Sequence, residues 1–278
     1  MTPIYDLHCH SFYSDGILSP NDLVSRAKAH NVSYLALTDH DTTQGIAVAQ
    51  KAAKDEGIDL IPGIEFSTQW YGRGIHIVGL NIDLDAESLI NGVAKQENSR
   101  EQRARAIAER LAAKGYDGAY QGAQKYSGSE LLGRPHFAKY LVEIGAVKSV
   151  AQAFKRYLGA GKVGDVKQMW PDFDEVIGWI KGAGGVAVLA HPDKYDMTRT
   201  KLRLLTADFA EAGGEAIEVI SGKQKAGLAT DMQRIADMFG LHSSCGSDFH
   251  SPGQPWQELG AFEAMPKNAR PVWEFWST

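Results

Sequence analysis

Seven short runs rich in β-branched and other apolar residues punctuate this chain, at 4–7, 34–38, 60–64, 75–80, 186–190, 216–220 and 242–245. Most are separated by segments in which apolar residues recur with the 3.6-residue period of a helix, at 21–30, 42–56, 173–181, 201–212 and 228–240. Repeated strand-then-helix units leave few folds open, because parallel strands need a crossover and the crossover helix must cover the sheet. The pattern predicts an α/β architecture, a parallel barrel or near-barrel, with its site on the face where the strands end. One connection differs: Trp70, Tyr71, Gly72, Arg73 and Gly74 read as a hairpin turn between runs at 64–69 and 75–80. Ser19, Pro20 and Asp22 supply an N-cap, a first-position proline and an early acid for the first helix.

The alternation stops between about 86 and 167. Residues 86–114, 129–144 and 150–158 read as helices with no convincing strand among them. The expected organisation is therefore a barrel from 1–98 and 168–278, with a small helical domain inserted at 99–167. Charge separates the two parts. The chain has a net charge of -5, yet residues 99–167 carry thirteen Lys and Arg against six Asp and Glu, a surplus of seven. A basic segment in an acidic protein reads as a landing surface for a phosphorylated small molecule or nucleic acid, although most of these cations also suit a solvated helical face. With 44% hydrophobic and 23% charged residues the composition excludes disordered and fibrous classes. The opening MTPIYDLHCH has neither a basic nor an apolar leader, and no run approaches the roughly 20 apolar residues of a membrane span. The expected location is the cytoplasm, with Cys9 and Cys245 as reduced thiols, no membrane contact and no protein partner.

Histidines and carboxylates cluster at the strand ends. His8 and His10 stand two apart at the end of the first run, so an extended chain projects both to one side, and Cys9 to the other as a core residue. Asp15 follows. The second run ends in Thr38-Asp39-His40-Asp41, the third in Pro62-Gly63-Ile64-Glu65, and the fourth carries His76. The fifth ends in Ala190-His191-Pro192 and the last in Ser247-Asp248-Phe249-His250. So many imidazoles and carboxylates converging on one barrel mouth would repel and desolvate one another unless divalent cations received them. The number of donors exceeds what one tetrahedral ion can use, so two or three divalent metals are expected. Without thiolate ligands, Mn, Fe and Zn at sites with open coordination positions all fit, with Mn the first choice.

These blocks stand in the order found in the PHP (polymerase and histidinol phosphatase) metal-dependent phosphoesterases, which the sequence resembles over its whole length. The resemblance implies a distorted (βα)7 barrel, the PHP fold, with the helical insertion. It also implies that His8, His10, Glu65 and Asp248 hold one metal, Asp15, His40 and His250 a second, and His76 and His191 a third, with Glu65 bridging. Asp15, Glu65, His191 and Asp248 would then serve catalysis through the metals, whose bound water replaces any side-chain nucleophile. Residues 75–83, 134–138 and 154–162 are similar to the family's bacterial 3′,5′-nucleoside bisphosphate phosphatases and 5′-to-3′ exoribonucleases. The implied substrates are nucleoside bisphosphates, cleaved to the 5′-monophosphate, or short 5′-phosphorylated RNA. Arg134 and His136 are expected to grip the phosphate that does not react, the alternative being a helix-entry Arg-Pro beside a surface His. Lys162, Lys167 and Ser221 are further substrate-binding candidates, whereas His30 and His242 lie outside the motifs. A histidinol-phosphate-type monoesterase would have less use for so basic an insertion. A non-catalytic nucleic-acid binding module would be expected to have lost ligands.

Overall fold

The computed structural model of the chain describes residues 2–127, 131–166 and 170–276. Seven strands form one sheet in sequence order: β1 (Ile4–Cys9), β2 (Val32–Leu37), β3 (Asp59–Trp70), β4 (Arg73–Leu80), β5 (Val186–Leu189), β6 (Ala216–Ser221) and β7 (His242–Gly246). The sheet curls until β7 lies beside β1, where Cys9 bridges to Phe249 and the Asp248 N–H donates to the His8 carbonyl at 2.8 Å. The barrel is thus nearly closed.

Every neighbouring pair is parallel except β3–β4 and β4–β5. β4 alone runs backwards, because the hairpin expected from the glycines forms: Tyr71 and Gly72 take φ of 46° and 72°, the left-handed pair a two-residue turn requires. Reversal brings the first residues of β4, including His76, level with the last residues of its neighbours. The fourth strand therefore delivers its histidine from its beginning to the mouth that the others reach at their ends.

Helices α1 (Pro20–Ala29), α2 (Ile46–Glu56), α3 (Glu87–Ala112), α4 (Ala119–Gln124), α5 (Arg134–Glu143), α6 (Val150–Ala153), α7 (Phe173–Gly182), α8 (Arg199–Glu211) and α9 (Leu228–Met238) complete the fold. Ser19 caps α1 through the Asp22 N–H, as the sequence suggests. The second helix starts later than its periodicity implied, since 42–45 is spent on the turn that follows the Asp41 carboxylate. A helix expected over 129–144 spans Arg134–Glu143, and residue 129 itself lies outside the described residues.

One apolar core draws Leu7, Ala36, Ile61, Val78, Val188 and Ala216 from six different strands and fills the barrel. Below it Tyr5 stacks on Tyr34 and Trp273 at 4.2 and 3.8 Å, at the end away from the mouth. A separate core within 104–166, built on Ile107, Leu111, Phe137, Leu141 and Leu158, holds the helical segment together. α3 joins them without a break. Near its start Gly92 lies under Trp179 of α7, where a Cβ would stand 2.6 Å from the indole, and its far end enters the second core. Arg100, halfway along, donates to Asp41 Oδ2 at 2.6 Å and ties the helix to the loop after β2. No helix among the described residues is long and apolar enough to cross a membrane.

Candidate metal centre

All nine donors named from the sequence meet at the barrel mouth. Glu65, at 0% exposure, is central: Oε2 lies 3.2 Å from His8 Nε2, 3.2 Å from His10 Nε2 and 3.0 Å from His40 Nδ1, while Oε1 lies 2.9 Å from both His76 Nδ1 and His191 Nε2. On one side Asp248 Oδ1 stands 3.4 Å from His10 Nε2 and 3.6 Å from His250 Nδ1. Across from it Asp15 Oδ1 is 3.2 Å from His250 Nε2. The donors fall into overlapping groups: His10, Asp15, His40 and His250; His8, Glu65 and His191; His8, His10 and Asp248; and His40, Glu65 and His76. His10 thus also reaches the Asp15 group, and His40 also reaches Glu65 and His76, so the implied partition into three separate sets is blurred.

The backbone strains to achieve this. Asp41, His191 and Asp248 take φ of 55°, 27° and 54°, in the region that side chains bearing a Cβ avoid. Each sits just past a strand, where a left-handed residue turns the chain sharply and throws its side chain or its neighbour's into the mouth.

Donor chemistry supports a metal fit. His8 Nε2 and His10 Nε2 face each other at 3.2 Å, and His76 Nδ1 and His191 Nε2 at 3.3 Å. Glu65 Oε2 has no hydrogen-bond partner although three imidazole nitrogens surround it. Ligands about 2.1 Å from a common cation stand about 3.0–3.4 Å apart along the edges of its polyhedron, close to these separations. Burial opposes ionisation of Glu65, yet His40, His8 and His76 override it and hold the carboxyl well below its ordinary range. Asp248, buried, and Asp15, half-buried, are likewise pulled down, in each case most strongly by His250. Burial keeps His40 neutral, as a ligand must be.

A further carboxylate stands behind the donors. Glu218 of β6 accepts from His8 Nδ1 at 2.9 Å and from the His191 N–H at 2.6 Å, fixing one imidazole's orientation and the other's backbone. It is missing from the sequence reading. Its signal was there: a lone acid inside the apolar run Ala216-Ile217-Glu218-Val219-Ile220, now 2% exposed.

Next to the donors opens a cavity of about 320 Å³ lined by Asp15, His40 and His76 on the barrel side and by Arg100, Arg103 and Arg134 on the other. Arg100 and Arg103 lie 5.4 and 5.2 Å from the Trp170 ring, and Arg134 lies 5.9 Å from that of Phe154. Burial and the neighbouring Arg134 and Arg100 push the Arg103 guanidinium down to about 9, a sign of cations gathered with too few anions. Arg100 and Arg103, 8% and 7% exposed, are not solvated helix-face residues.

His136 lines the same cavity and is 1% exposed, which overturns the surface alternative. Its Nδ1 accepts the Gly133 N–H at 3.0 Å, so the neutral ring carries its proton on Nε2, which is buried and has no partner. Lys162 is exposed and not among this lining. Ser221 is buried at the end of β6 beside a different cavity. Lys167 lies outside the described residues.

A barrel mouth with this donor set, beside a cationic cavity, fits divalent metal ions, as in a metal-dependent phosphoesterase. Residues 6–181 match the PHP domain, and the chain belongs to that family. It is 47% identical to the 5'-3' exoribonuclease of Haemophilus influenzae over 99% of both chains. It is 43% identical to the 3',5'-nucleoside bisphosphate phosphatase of Chromobacterium violaceum over 96% of this chain and 94% of that one. A solved structure described as an amidohydrolase from Chromobacterium violaceum, with bound sulfate and no metal, superposes with a TM-score of 0.91 at 43% identity, covering 97% and 94% of the two chains.

Proposed function

We propose that this protein hydrolyses 3′,5′-nucleoside bisphosphates to nucleoside 5′-monophosphates and removes 5′-mononucleotides stepwise from short 5′-phosphorylated RNA. The observation that carries this reading is the adjacency of two unlike walls: nine imidazole and carboxylate donors on one side, three arginines and the partnerless His136 Nε2 on the other. A substrate with one phosphate needs only the first wall. A nucleotide with a phosphate at each end of its ribose uses both. The names and bound sulfate of the relatives point the same way.

His8, His10, Glu65 and Asp248 would hold one cation, Asp15, His40 and His250 a second, and His76 and His191 a third with Glu65 shared. Mn is the expected metal, with Fe or Zn as alternatives. When bound, such cations would make water nucleophilic at neutral pH and would offset charge on the scissile phosphate and leaving oxygen. The chain's own part is to place the substrate. Arg134, with Arg100 and Arg103 beside it, receives the non-reacting phosphate, and His136 Nε2–H donates to it as a neutral group. Glu218 keeps His8 turned toward the mouth. Residues 99–167 act as the cover that closes over the nucleotide. The work takes place in the cytoplasm, where its substrates are and where Cys9 and Cys245 stay reduced.

Mn-reconstituted protein incubated with a 5′-phosphorylated oligoribonucleotide and, separately, a nucleoside 3′,5′-bisphosphate tests this. Chromatography over time should show mononucleotides leaving from the 5′ end and inorganic phosphate from the bisphosphate. If neither substrate changes while a simple phosphomonoester is hydrolysed, the reading is wrong.

A further inference from the structure

Asp248 has two faces. Its Oδ1 looks toward His8, His10 and His250, whereas its Oδ2 accepts from Lys194 Nζ at 2.6 Å and from Gln257 Nε2 at 3.0 Å. Behind these two side chains lies a second cavity, of about 550 Å³, lined by none of the three arginines but by Ser221, Lys223, Gln224, Lys225 and Trp256 in addition.

This cavity is built rather than incidental. The loop after β6 is clamped to the loop after β7: Gly222 N–H donates to the Gly246 carbonyl at 2.7 Å and Lys223 N–H to that of Trp256 at 2.7 Å. Gly222 takes φ of 67°, and a Cβ there would stand 2.5 Å from the Trp256 carbonyl oxygen, so only glycine lets the loops meet. Ser221 Oγ, on a residue 4% exposed, borders the cavity with no hydrogen-bond partner. Among the described residues neither Lys223 nor Lys225 forms an ion pair, and the Trp256 indole is 56% exposed at the rim. Asp193 is the one other acid beside Asp248 on this lining.

We infer that this second cavity holds the part of an RNA chain that lies beyond the scissile phosphate. The inference rests on the function proposed above, because it assumes an oligonucleotide substrate. With the first nucleotide between the donors and the arginines, the scissile phosphate has one remaining ester substituent, which must leave away from the arginine wall. The Asp248 side is where such a chain finds matching chemistry. Two unpaired ammonium groups meet the following phosphates, an exposed indole offers a stacking face to an unpaired base, and a buried hydroxyl lacks a partner that a phosphate or ribose oxygen provides. A nucleoside bisphosphate has no such substituent, so it does not reach this cavity. Hydrolysis breaks the P–O3′ bond, the first nucleotide departs with a 3′-hydroxyl, and water's oxygen stays on phosphorus. The shortened chain, again 5′-phosphorylated, remains held by the lysines for the next cycle.

Steady-state kinetics of Mn-loaded K223A/K225A and of W256A, with a 5′-phosphorylated tetraribonucleotide and with a nucleoside 3′,5′-bisphosphate, test the assignment. Anisotropy of a labelled tetramer on metal-free protein reports binding without cleavage. The double variant should raise KM and Kd for the tetramer about tenfold and flatten its logarithmic salt dependence by about 1.4, the slope that neutralising two single-strand phosphates contributes. W256A should weaken tetramer binding about five- to tenfold. Bisphosphate kinetics should stay within about twofold, since its two phosphates are placed by other residues. Equal effects on both substrates, or none on the tetramer, would overturn the inference while leaving the proposed function in place. Wild-type protein that cleaves the bisphosphate but leaves the tetramer intact would overturn the RNA reading and this inference together.

Discussion

The barrel side and the insertion side of the catalytic cavity assemble opposite charges by opposite means. On the barrel side, anionic and imidazole donors arrive one or two at a time from the strands and from the loops that follow them. On the insertion side, three arginines come from helices whose cohesion depends on a separate apolar core. The first wall is built on the sheet and just beyond its strands. The second is carried on a body joined to the barrel by one continuous helix, the Arg100–Asp41 pair and the hydrogen bond from Thr68 Oγ1 to the Pro171 carbonyl. A scaffold of this kind keeps the reacting centre constant and leaves the choice of substrate to the attached part.

The largest expected effect lies on the barrel wall. Glu65→Gln removes the charge that five imidazoles share, and the variant should lose bound metal and nearly all activity toward both substrates, beyond the tenfold to hundredfold cost of a supporting residue. Glu218→Gln is the graded control. It keeps a hydrogen-bonding side chain behind His8 but drops its charge, so activity should fall about 10–100-fold and recover in part when Mn is raised. Metal content by elemental analysis, read with kcat, separates them. If Glu218→Gln proved as damaging as Glu65→Gln and insensitive to added Mn, its supporting role would be wrong.

The second wall should respond differently. Arg134→Ala ought to raise KM for a nucleoside bisphosphate about tenfold or more while kcat changes only a few-fold, because the interaction removed is with a phosphate that does not react. Metal content should be normal. An unchanged KM would break the division of labour between the walls.

This contrast also explains what could be read before the structure. The donors were legible because a strand end is a fixed address: a histidine or acid there faces the mouth, and the His8/His10 spacing of two keeps both on one face. Even the reversed β4 did not spoil this, since the hairpin glycines around Tyr71 announced the reversal. Arg100 and Arg103 were not legible in the same way. A basic residue on a helix is buried or solvated according to what packs over it, and Trp170, far along the chain, decides that here. Sequence charge located the wall and the motif around 134–138 named Arg134 and His136, but Arg100 and Arg103 were missed. Glu218 escaped because an acid within a strand has no motif around it, and only the arrival of His8 and His191 from two other strands gives it a purpose.

The smallest effect sharpens the comparison through protons. The barrel donors are coupled to one another at contact distance, whereas the His136 pKa is set chiefly by its own burial, which lowers it from 6.5 to about 4. The unfolded chain takes up a proton at this position below about 6.5 and the native chain does not until about 4. The unfolded state therefore binds more protons within that window, and the stability present above pH 6.5 is lost as pH falls through it. His136→Gln cannot titrate. Between pH 7 and pH 5 wild-type protein should lose on the order of 1–2 kcal/mol more stability than the variant. Urea unfolding of both metal-free proteins across that range measures the difference, and parallel profiles would show that His136 titrates normally. The expected divergence means that at neutral pH the unliganded protein presents His136 to the cavity as a neutral N–H donor. The charge on that wall then belongs to the arginines alone, and the cavity's affinity for the second phosphate should not follow the titration of a histidine.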